Sequence, residues 1–220
     1  MDETVRYRLF SPNILSFTLV LLINSLLFST CYCIDEQGQP LLTWKNSLNS
    51  PTDALKTWNP ADSIPCKWLG IHCNTNGEVV KVSLKALELE GSVPSNFQSL
   101  KSLKILIISS CNLTETIPKE IGEFGELTFI DLSDNSLSVH NLLTGSIPRS
   151  FEKLEKLQGL SLWNNSLEGA IPDDLGNCTE LTYLDISINL LTGSIPRIDG
   201  DGNLIFSKHG AFIEVVICIT

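Results

Sequence analysis

The sequence predicts an α/β solenoid in which short parallel strands stack side by side and form a concave sheet. The phrase L-x-x-L-x-L-x-x-N-x-L-x-G-x-I-P recurs in five copies, which begin at residues 79, 103, 127, 157 and 181. Such a recurring period is the signature of a repeat architecture. Alternate residues of the L-x-L core point to opposite faces of a strand, and one strand cannot bury its apolar face alone. The copies must therefore stack and share a continuous core.

The asparagine of the phrase stands where the chain leaves each strand. Its amide can satisfy backbone groups of the neighbouring turn that have no partner in the sheet. We predict a structural ladder at this position, formed by Cys111, Asn135, Asn165 and Asn189. Cys178 falls at an apolar position, so both it and Cys111 are interpreted as structural thiols. The phrase and its 24-residue period define leucine-rich repeats over residues 79–197.

The third copy is irregular over residues 135–148. Asn135 opens the loop part of the phrase, and Asn141 starts it again six residues later, so that this repeat has 30 residues. Asn135 lies eight residues after Leu127, in register with its strand, and we assign it to the ladder. The extra residues should bulge on the convex or lateral side. A join near Ser138 between two repeats that were not neighbours is the simplest origin.

Residues 1–33 have the organisation of a secretory signal peptide. Arg6 and Arg8 precede an apolar run over residues 14–28, and the predicted cleavage point lies near Cys33. An uncleaved N-terminal anchor is the alternative. After this segment no apolar stretch is long enough to span a bilayer. The formal net charge of −10 argues against binding to nucleic acid or to anionic lipid.

Residues 34–78 are predicted to form an N-terminal cap, which a solenoid needs to cover its core. Leu41, Trp44 and Leu48 share one face of a predicted helix, and Pro40 should kink that helix or move its start. A second helix is predicted over residues 52–58, with Thr52 or Asp53 as its N-cap.

Two cysteines of the predicted cap, Cys66 and Cys73, have six residues between them. Secretion permits disulfides, and we predict that these two residues form one. A zinc site is the alternative, but it needs further ligands and only His72 is close in sequence.

The water-facing positions of the strands carry the candidate partner-binding residues. Exposed aromatic side chains on a rigid curved sheet suit contact with a peptide or protein. The candidates are Phe129, Asp131, Trp163, Tyr183 and Asp185. The alternative is that these positions are merely solvated, and that β-propensity accounts for the aromatic residues.

Three sequons predict N-glycosylation of a secreted chain, at Asn112, Asn164 and Asn177, although each triplet also occurs by chance. No catalytic motif accompanies them: the three histidines are distant from one another, and G-x-S-x-G and the P-loop are absent. Residues 199–203, DGDGN, fail the pattern of a calcium loop. We therefore expect no enzyme activity, no cofactor and no metal site.

The cap sequence IDEQGQPLLTWKNSLNSPTDALKTWNPADSIPCKWLGIHC, followed by repeats ending in I-P, resembles plant leucine-rich-repeat receptor-like serine/threonine kinases. The sequence of this region is most similar to that of the branch of root meristem growth factor receptors, and the resemblance covers residues 34–197. It implies an extracellular solenoid whose inner face binds a peptide hormone or a co-receptor ectodomain. In that family a transmembrane helix and a kinase domain follow the solenoid.

The chain departs from that family in several respects. Kinase motifs are absent, as is the R-x-G-G motif that holds a sulphated tyrosine in peptide-hormone receptors of this branch. Five repeats are far fewer than in that branch, and residues 198–220 match neither a repeat nor a C-terminal cap. The leading hypothesis is a non-catalytic, truncated receptor ectodomain located in the apoplast. The alternatives are a truncated or mis-spliced product without independent function and a secreted inhibitor-type leucine-rich-repeat protein.

Overall fold

A computed structural model describes residues 34–49, 53–135, 143–178 and 180–192, together with the backbone of residues 214–216. Within these residues the predicted α/β solenoid is confirmed. The described residues form one α-helix and twelve strands: α1 (Gly38–Ser47), β1 (Ile71–Cys73), β2 (Val79–Lys85), β3 (Gly91–Ser92), β4 (Ile105–Ser109), β5 (Leu113–Thr116), β6 (Phe129–Asp131), β7 (Leu143–Thr144), β8 (Gly159–Ser161), β9 (Glu168–Ala170), β10 (Tyr183–Asp185), β11 (Leu190–Thr192) and β12 (Glu214–Val216). The predicted signal segment lies outside the described residues.

The main sheet has the strand order β1-β2-β4-β6-β8-β10-β12. β1 is antiparallel to β2, and all other neighbours are parallel. The pairing aligns one residue from each repeat in a single row: Lys81, Ile105, Phe129, Gly159 and Tyr183. These residues are the third positions of the five sequence copies, so the strands stack in the register that the phrase predicts.

The core is continuous because each repeat contributes the same apolar positions to it. In the third repeat Ile130 and Leu132 are fully buried, and Leu160 and Leu162 take the same places in the fourth. Between the strands of successive repeats, four 3-10 helices in the described residues each bury an apolar side chain in this core, namely Phe97, Ile121, Phe151 and Leu175. These helices span Phe97–Ser99, Lys119–Glu123, Arg149–Lys153 and Asp173–Asn177.

A second layer of short strands follows the ladder position and was not predicted. β3, β5 and β7 form one parallel sheet, and β9 pairs with β11 in another. No conformation was predicted for the L-x-G part of the phrase. Threonine, which occurs in β5, β7 and β11, favours extended backbone and would have been the available signal.

The N-terminal cap is built around α1, in which Leu41 and Trp44 are buried, with Leu48 buried directly after the helix. Pro40 lies in the first turn, where the backbone N–H groups have no intrahelical acceptor, and the helix begins at Gly38. Aromatic packing continues the cap into the first repeat. The ring centroids of Trp58 and Trp68 lie 5.5 Å apart, and those of Trp44 and Phe97 lie 5.8 Å apart.

The predicted second helix of the cap is wrong: residues 53–57 form turns, and Thr52 lies outside the described residues. Trp58 is fully buried, and its indole nitrogen donates to the Leu69 carbonyl at 2.9 Å. Its backbone N–H donates to the Leu55 carbonyl at 3.0 Å in a tight turn. A segment as short as residues 53–57 forms too few helical hydrogen bonds to offset the cost of starting a helix. The tertiary contacts of Trp58 therefore decide the local conformation.

The predicted disulfide is confirmed between Cys66 and Cys73, whose Cα atoms lie 5.5 Å apart. Because both thiols are consumed by this bond, the zinc alternative is excluded.

Among the residues that the structure describes, no group of His, Cys, Asp and Glu side chains is arranged to hold a metal ion. The DGDGN segment lies outside those residues. Within the described residues, no helix has the length and apolar character needed to cross a bilayer.

The irregular third repeat keeps the register of both sheets. Phe129 pairs with Gly159 in the main sheet, and Leu143 pairs with Glu115 in the second layer. In a regular repeat this second pairing joins residues 22 apart, as in Gly91 with Leu113. Here they are 28 apart, so all six extra residues fall between Asn135 and Leu143. The predicted bulge itself, residues 136–142, lies outside the described residues.

The C-terminal region contains an element that the sequence analysis did not predict. β12 pairs in parallel with β10, and Glu214, Val215 and Val216 lie opposite Tyr183, Leu184 and Asp185. Residues 198–220 were expected to match neither a repeat nor a C-terminal cap. Leu184 and its partner Val215 are 31 residues apart and not 24, so the regular spacing of the copies does not locate this strand.

Candidate recognition surface

Asn135 occupies the ladder position, and its side chain bridges the second and third repeats. Its Oδ1 accepts hydrogen bonds from the backbone N–H groups of Cys111 and Leu113, at 2.9 and 3.2 Å. Its Nδ2 donates to the carbonyls of Ile108 and Leu132, both at 2.9 Å. The side chain is fully buried. These bonds hold the ends of two adjacent strands at a fixed spacing, which sets the geometry of the concave face.

Asn165 continues the ladder, but within the described residues only the amino half of its amide is hydrogen-bonded. Its Nδ2 donates to the carbonyls of Leu132 and Leu162, at 3.0 and 2.9 Å. Its Oδ1 is buried and has no hydrogen-bond partner among the described residues. In the next repeat, Asn189 Oδ1 accepts from the N–H of Leu167, 22 residues earlier. The equivalent donor for Asn165 is the N–H of Leu143, directly after the six extra residues.

The two remaining cysteines of the described region are free and buried. Cys111 Sγ donates to the Ser109 carbonyl at 3.2 Å, and Cys178 Sγ donates to the Phe151 carbonyl at 3.1 Å. Burial raises the pKa of both thiols to about 11. At neutral pH they are therefore protonated, a state in which cysteine is a poor nucleophile.

The residue before the ladder position adopts a left-handed conformation in all five repeats. The φ angles, from 51° to 57°, belong to Ala86, Ser110, Asp134, Asn164 and Ile188. In the middle repeats these side chains form a hydrogen-bonded row. Ser110 Oγ donates to Asp134 Oδ2 at 2.7 Å, and Asn164 Nδ2 donates to Asp134 Oδ1 at 2.6 Å. Ile188 ends the row with a β-branched residue, for which this conformation is strained.

Replacing Ile188 with asparagine should stabilise the protein by about 1 kcal/mol, because asparagine tolerates the left-handed region. The side chain of Ile188 is half exposed, so little burial is lost. Thermal unfolding followed by circular dichroism would measure the gain. Ile188→Val is the matched control, since valine keeps the β-branch and should bring no gain. Equal melting temperatures for the asparagine variant and the unaltered protein would contradict the prediction.

The five candidate residues lie on the concave side of three consecutive repeat strands, and each is partly exposed. Phe129 and Tyr183 share a row with Gly159 between them, and Asp131 and Asp185 share the next row with Ser161 between them. Trp163 lies two residues beyond Ser161, just after β8. The structure therefore brings all five together around the small residues of β8.

Gly159 is required by the ring of Phe129. A Cβ atom at Gly159 would lie 2.5 Å from Cδ2 and 2.7 Å from Cε2 of that ring, which therefore packs directly over the backbone of β8. The sequence analysis did not identify Gly159 as a functional residue. Its signal was a glycine at a strand position that the other repeats fill with lysine, isoleucine, phenylalanine or tyrosine, which indicates a close approach by another group.

The two carboxylates are oriented by serines that lie two residues further along the chain. Asp131 Oδ1 accepts from the backbone N–H and the Oγ of Ser133, at 3.1 and 2.5 Å. Asp185 Oδ1 accepts from the same groups of Ser187, at 3.1 and 2.6 Å. The spacing D-x-S was visible in the sequence, although its positioning role was not predicted.

The second oxygen of each carboxylate makes only a long contact within the described residues. Asp131 Oδ2 lies 3.8 Å from Lys85 Nζ. Because the ammonium group of Lys85 is exposed to water, this ion pair is weak. Tyr183 donates to Asp185 Oδ2 at 3.5 Å. Burial and the neighbouring Asp185 raise the pKa of the Tyr183 hydroxyl, which keeps it protonated as a donor at neutral pH. Both carboxylates retain capacity for an external cation.

The three predicted glycosylation sites differ in accessibility. Asn177 is exposed at the end of a 3-10 helix, whereas Asn112 and Asn164 are half-buried. Asn112 Oδ1 is buried without a partner in the described residues, and Asn164 Nδ2 is engaged by Asp134. Glycosylation remains a prediction, and this geometry favours Asn177 as its first acceptor.

Comparison with known proteins shows which family shares this sequence and this architecture. A family model described as leucine rich repeat N-terminal domain matches residues 34–74, and the Leucine Rich Repeat model matches residues 102–124, 126–154 and 156–178. The leucine-rich repeat receptor-like serine/threonine-protein kinase RGI4 of Arabidopsis thaliana is 45% identical over 130 residues, which are 58% of this chain and 12% of that relative. The BIR2 ectodomain of Arabidopsis thaliana superposes with a TM-score of 0.65 at 30% identity, covering 73% of this chain and 84% of that one. The chain belongs to the plant leucine-rich-repeat receptor-like kinase family.

Membership of this receptor-like kinase family confirms the resemblance seen in the cap and repeats. The chain spans 12% and 11% of the lengths of RGI4 and of its relative RGI3. It also superposes on the Arabidopsis receptor kinase HAESA, whose structure is in complex with the peptide hormone IDA and the co-receptor SERK1. That match has a TM-score of 0.68 at 29% identity and covers 84% of this chain and 30% of HAESA. The region shared with these relatives is thus the leucine-rich-repeat ectodomain.

Proposed function

We propose that this chain is a non-catalytic extracellular recognition module, located in the apoplast, whose concave face binds a peptide hormone or a co-receptor ectodomain. The observation that carries this proposal is the cluster of Phe129, Asp131, Trp163, Tyr183 and Asp185 on one face of three consecutive strands. The complex of HAESA with a peptide hormone and a co-receptor supports it, because that receptor has the same architecture.

The chemistry of the cluster favours a partner with lysine or arginine side chains next to apolar ones. Two carboxylates on the same row attract a cation, and each is held in place by two hydrogen bonds from a serine. The neighbouring aromatic rings of Trp163 and Tyr183 add cation–π attraction. Because the ladder fixes the strands, little conformational entropy is lost when a partner binds.

The proposal predicts which peptides the chain selects. A displayed library of random nonapeptides, panned on the secreted full chain, should be enriched in arginine or lysine beside apolar residues. A parallel panning on the Asp131→Asn, Asp185→Asn double variant provides the matched control, because the shape is kept and the charge is removed. The best selected peptide should bind the double variant about tenfold more weakly or worse.

Two results would count against this function. One is the absence of saturable binding at micromolar concentrations for any enriched peptide. The other is equal affinity for the unaltered protein and the double variant, which would place recognition elsewhere on the surface. Circular dichroism of the double variant checks that the fold is retained.

A further inference from the structure

The concave face carries lysines on the strand of the first repeat and carboxylates on the strands of the third and fifth. On β2, Val82 and Leu84 are buried in the core, so the alternating residues Lys81 and Lys85 lie on the concave side. Neither β2 nor β4 contains a carboxylate, whereas β6 and β10 each contain one and no lysine or arginine. The charges are therefore sorted by strand into a basic zone on β2 and an acidic zone on β6 and β10.

Both lysines of the basic zone are accessible to a ligand. Lys81 is partly exposed and forms no ion pair with another described residue. The side chain of Lys85 is 59% exposed, and its one ion pair within the described residues is the 3.8 Å contact with Asp131. Because this contact joins the two zones, a cationic group that binds Asp131 competes with Lys85. An anionic group on the same ligand can then bind the displaced ammonium.

The strand spacing relates the two zones to the length of a peptide. Neighbouring strands lie about 4.8 Å apart, so β6 lies about 9.6 Å and β10 about 19 Å from β2. An extended chain advances about 3.3 Å per residue, so these distances correspond to about three and about six residues. A nonapeptide is therefore long enough to reach both zones.

We infer that the concave face selects a linear peptide that crosses the strands in one direction, with an acidic residue over the basic zone and basic residues over the acidic zone. The basic residues lie about three and about six positions from the acidic one. Charge complementarity fixes the direction, since the reversed peptide would bring like charges together. Ile105 of β4 lies between the zones and favours an apolar residue at an intervening position. This inference rests on the proposed function, which by itself requires only the basic residues.

The order of charges is tested by panning the nonapeptide library on the full chain. The enriched sequences should carry an acidic residue about three positions from the nearest basic one, always in the same order along the peptide. Panning on the Lys81→Gln, Lys85→Gln double variant should keep the basic residues and lose the acidic one. The matched control is the Lys119→Gln, Lys153→Gln double variant, which removes the same net charge from exposed lysines of the 3-10 helices. It should enrich the same sequences as the unaltered chain.

Affinity measurements separate a local contact from a general effect of charge. At low salt the Lys81→Gln, Lys85→Gln variant should bind the best peptide about threefold more weakly than the unaltered chain does. A version of that peptide with its acidic residue replaced by the amide should bind this variant at least as tightly as it binds the unaltered chain, because Lys85 no longer competes for Asp131.

Two kinds of result would overturn the inferred direction and leave the proposed function intact. One is a set of enriched peptides that bind through basic residues and have no acidic residue at a fixed position. The other is an affinity of the best peptide that the lysine variant leaves unchanged or raises, or a loss of equal size for the peptide and its amide version. A library that yields no binder at all would overturn the proposed function together with this inference.

Discussion

Replacing Asn135 with alanine is expected to lower the free energy of unfolding by about 4 kcal/mol. The asparagine side chain is fully buried, and it accepts two backbone hydrogen bonds and donates to three carbonyls. Alanine would leave the N–H groups of Cys111 and Leu113 without this acceptor, in a core that water does not reach. Urea unfolding followed by tryptophan fluorescence would measure the loss.

Asn189→Ala is the graded comparison for this experiment. Asn189 has the same role in the last copy, but it is partly exposed and accepts only one backbone bond among the described residues. Its replacement should cost about half as much, because water can satisfy part of what the side chain leaves behind. A loss below about 1 kcal/mol for Asn135→Ala would show that the ladder does not stabilise the repeats.

Deleting residues 136–141 is expected to stabilise the protein by about 1–3 kcal/mol. The deletion joins Asn135 to Leu142 and restores N-x-L-x-G on the 24-residue period. The N–H of Leu143 would then stand where the N–H of Leu167 stands for Asn189, and it could donate to Asn165 Oδ1. That oxygen is now buried without a partner in the described residues, a state that costs free energy. The melting temperature should rise by several degrees.

A shorter deletion separates the restored hydrogen bond from the simple shortening of a loop. Loop closure depends only weakly on length, so removing residues 136–138 alone should change stability by less than about 1 kcal/mol. Only the six-residue deletion brings back the regular spacing. If both deletions raised the melting temperature equally, loop length and not Asn165 would be responsible.

The strand register could be predicted from the sequence because it depends on a strict local pattern. The spacing of Leu127 and Asn135 is the same as that of Leu157 and Asn165, so the six extra residues could be assigned to the loop side. The candidate residues followed from the alternation of side chains along a strand. Their shared rows are a direct consequence of stacking one repeat on the next.

Other features depend on contacts that a sequence pattern does not encode. The turn at residues 53–57 is set by the buried indole of Trp58, which outweighs local helix preference. The surroundings of Asn165 Oδ1, which is buried without a partner among the described residues, depend on how two repeats of different length stack. β12 was missed because its offset from the fifth copy is 31 residues and not 24.

The main sheet is unbroken across the 30-residue repeat. Its strand spacing therefore fixes the distance between the residues that a ligand lying across the strands would contact. Asp131 and Asp185 share a row and are separated by one strand. Neighbouring strands lie about 4.8 Å apart, so the strands that carry the two aspartates, β6 and β10, are about 9.6 Å apart. A polyproline II helix advances about 9.3 Å per turn of three residues, which brings every third side chain to the same side. A proline-rich peptide in this conformation would therefore present basic residues at positions i and i+3 to the two carboxylates in turn.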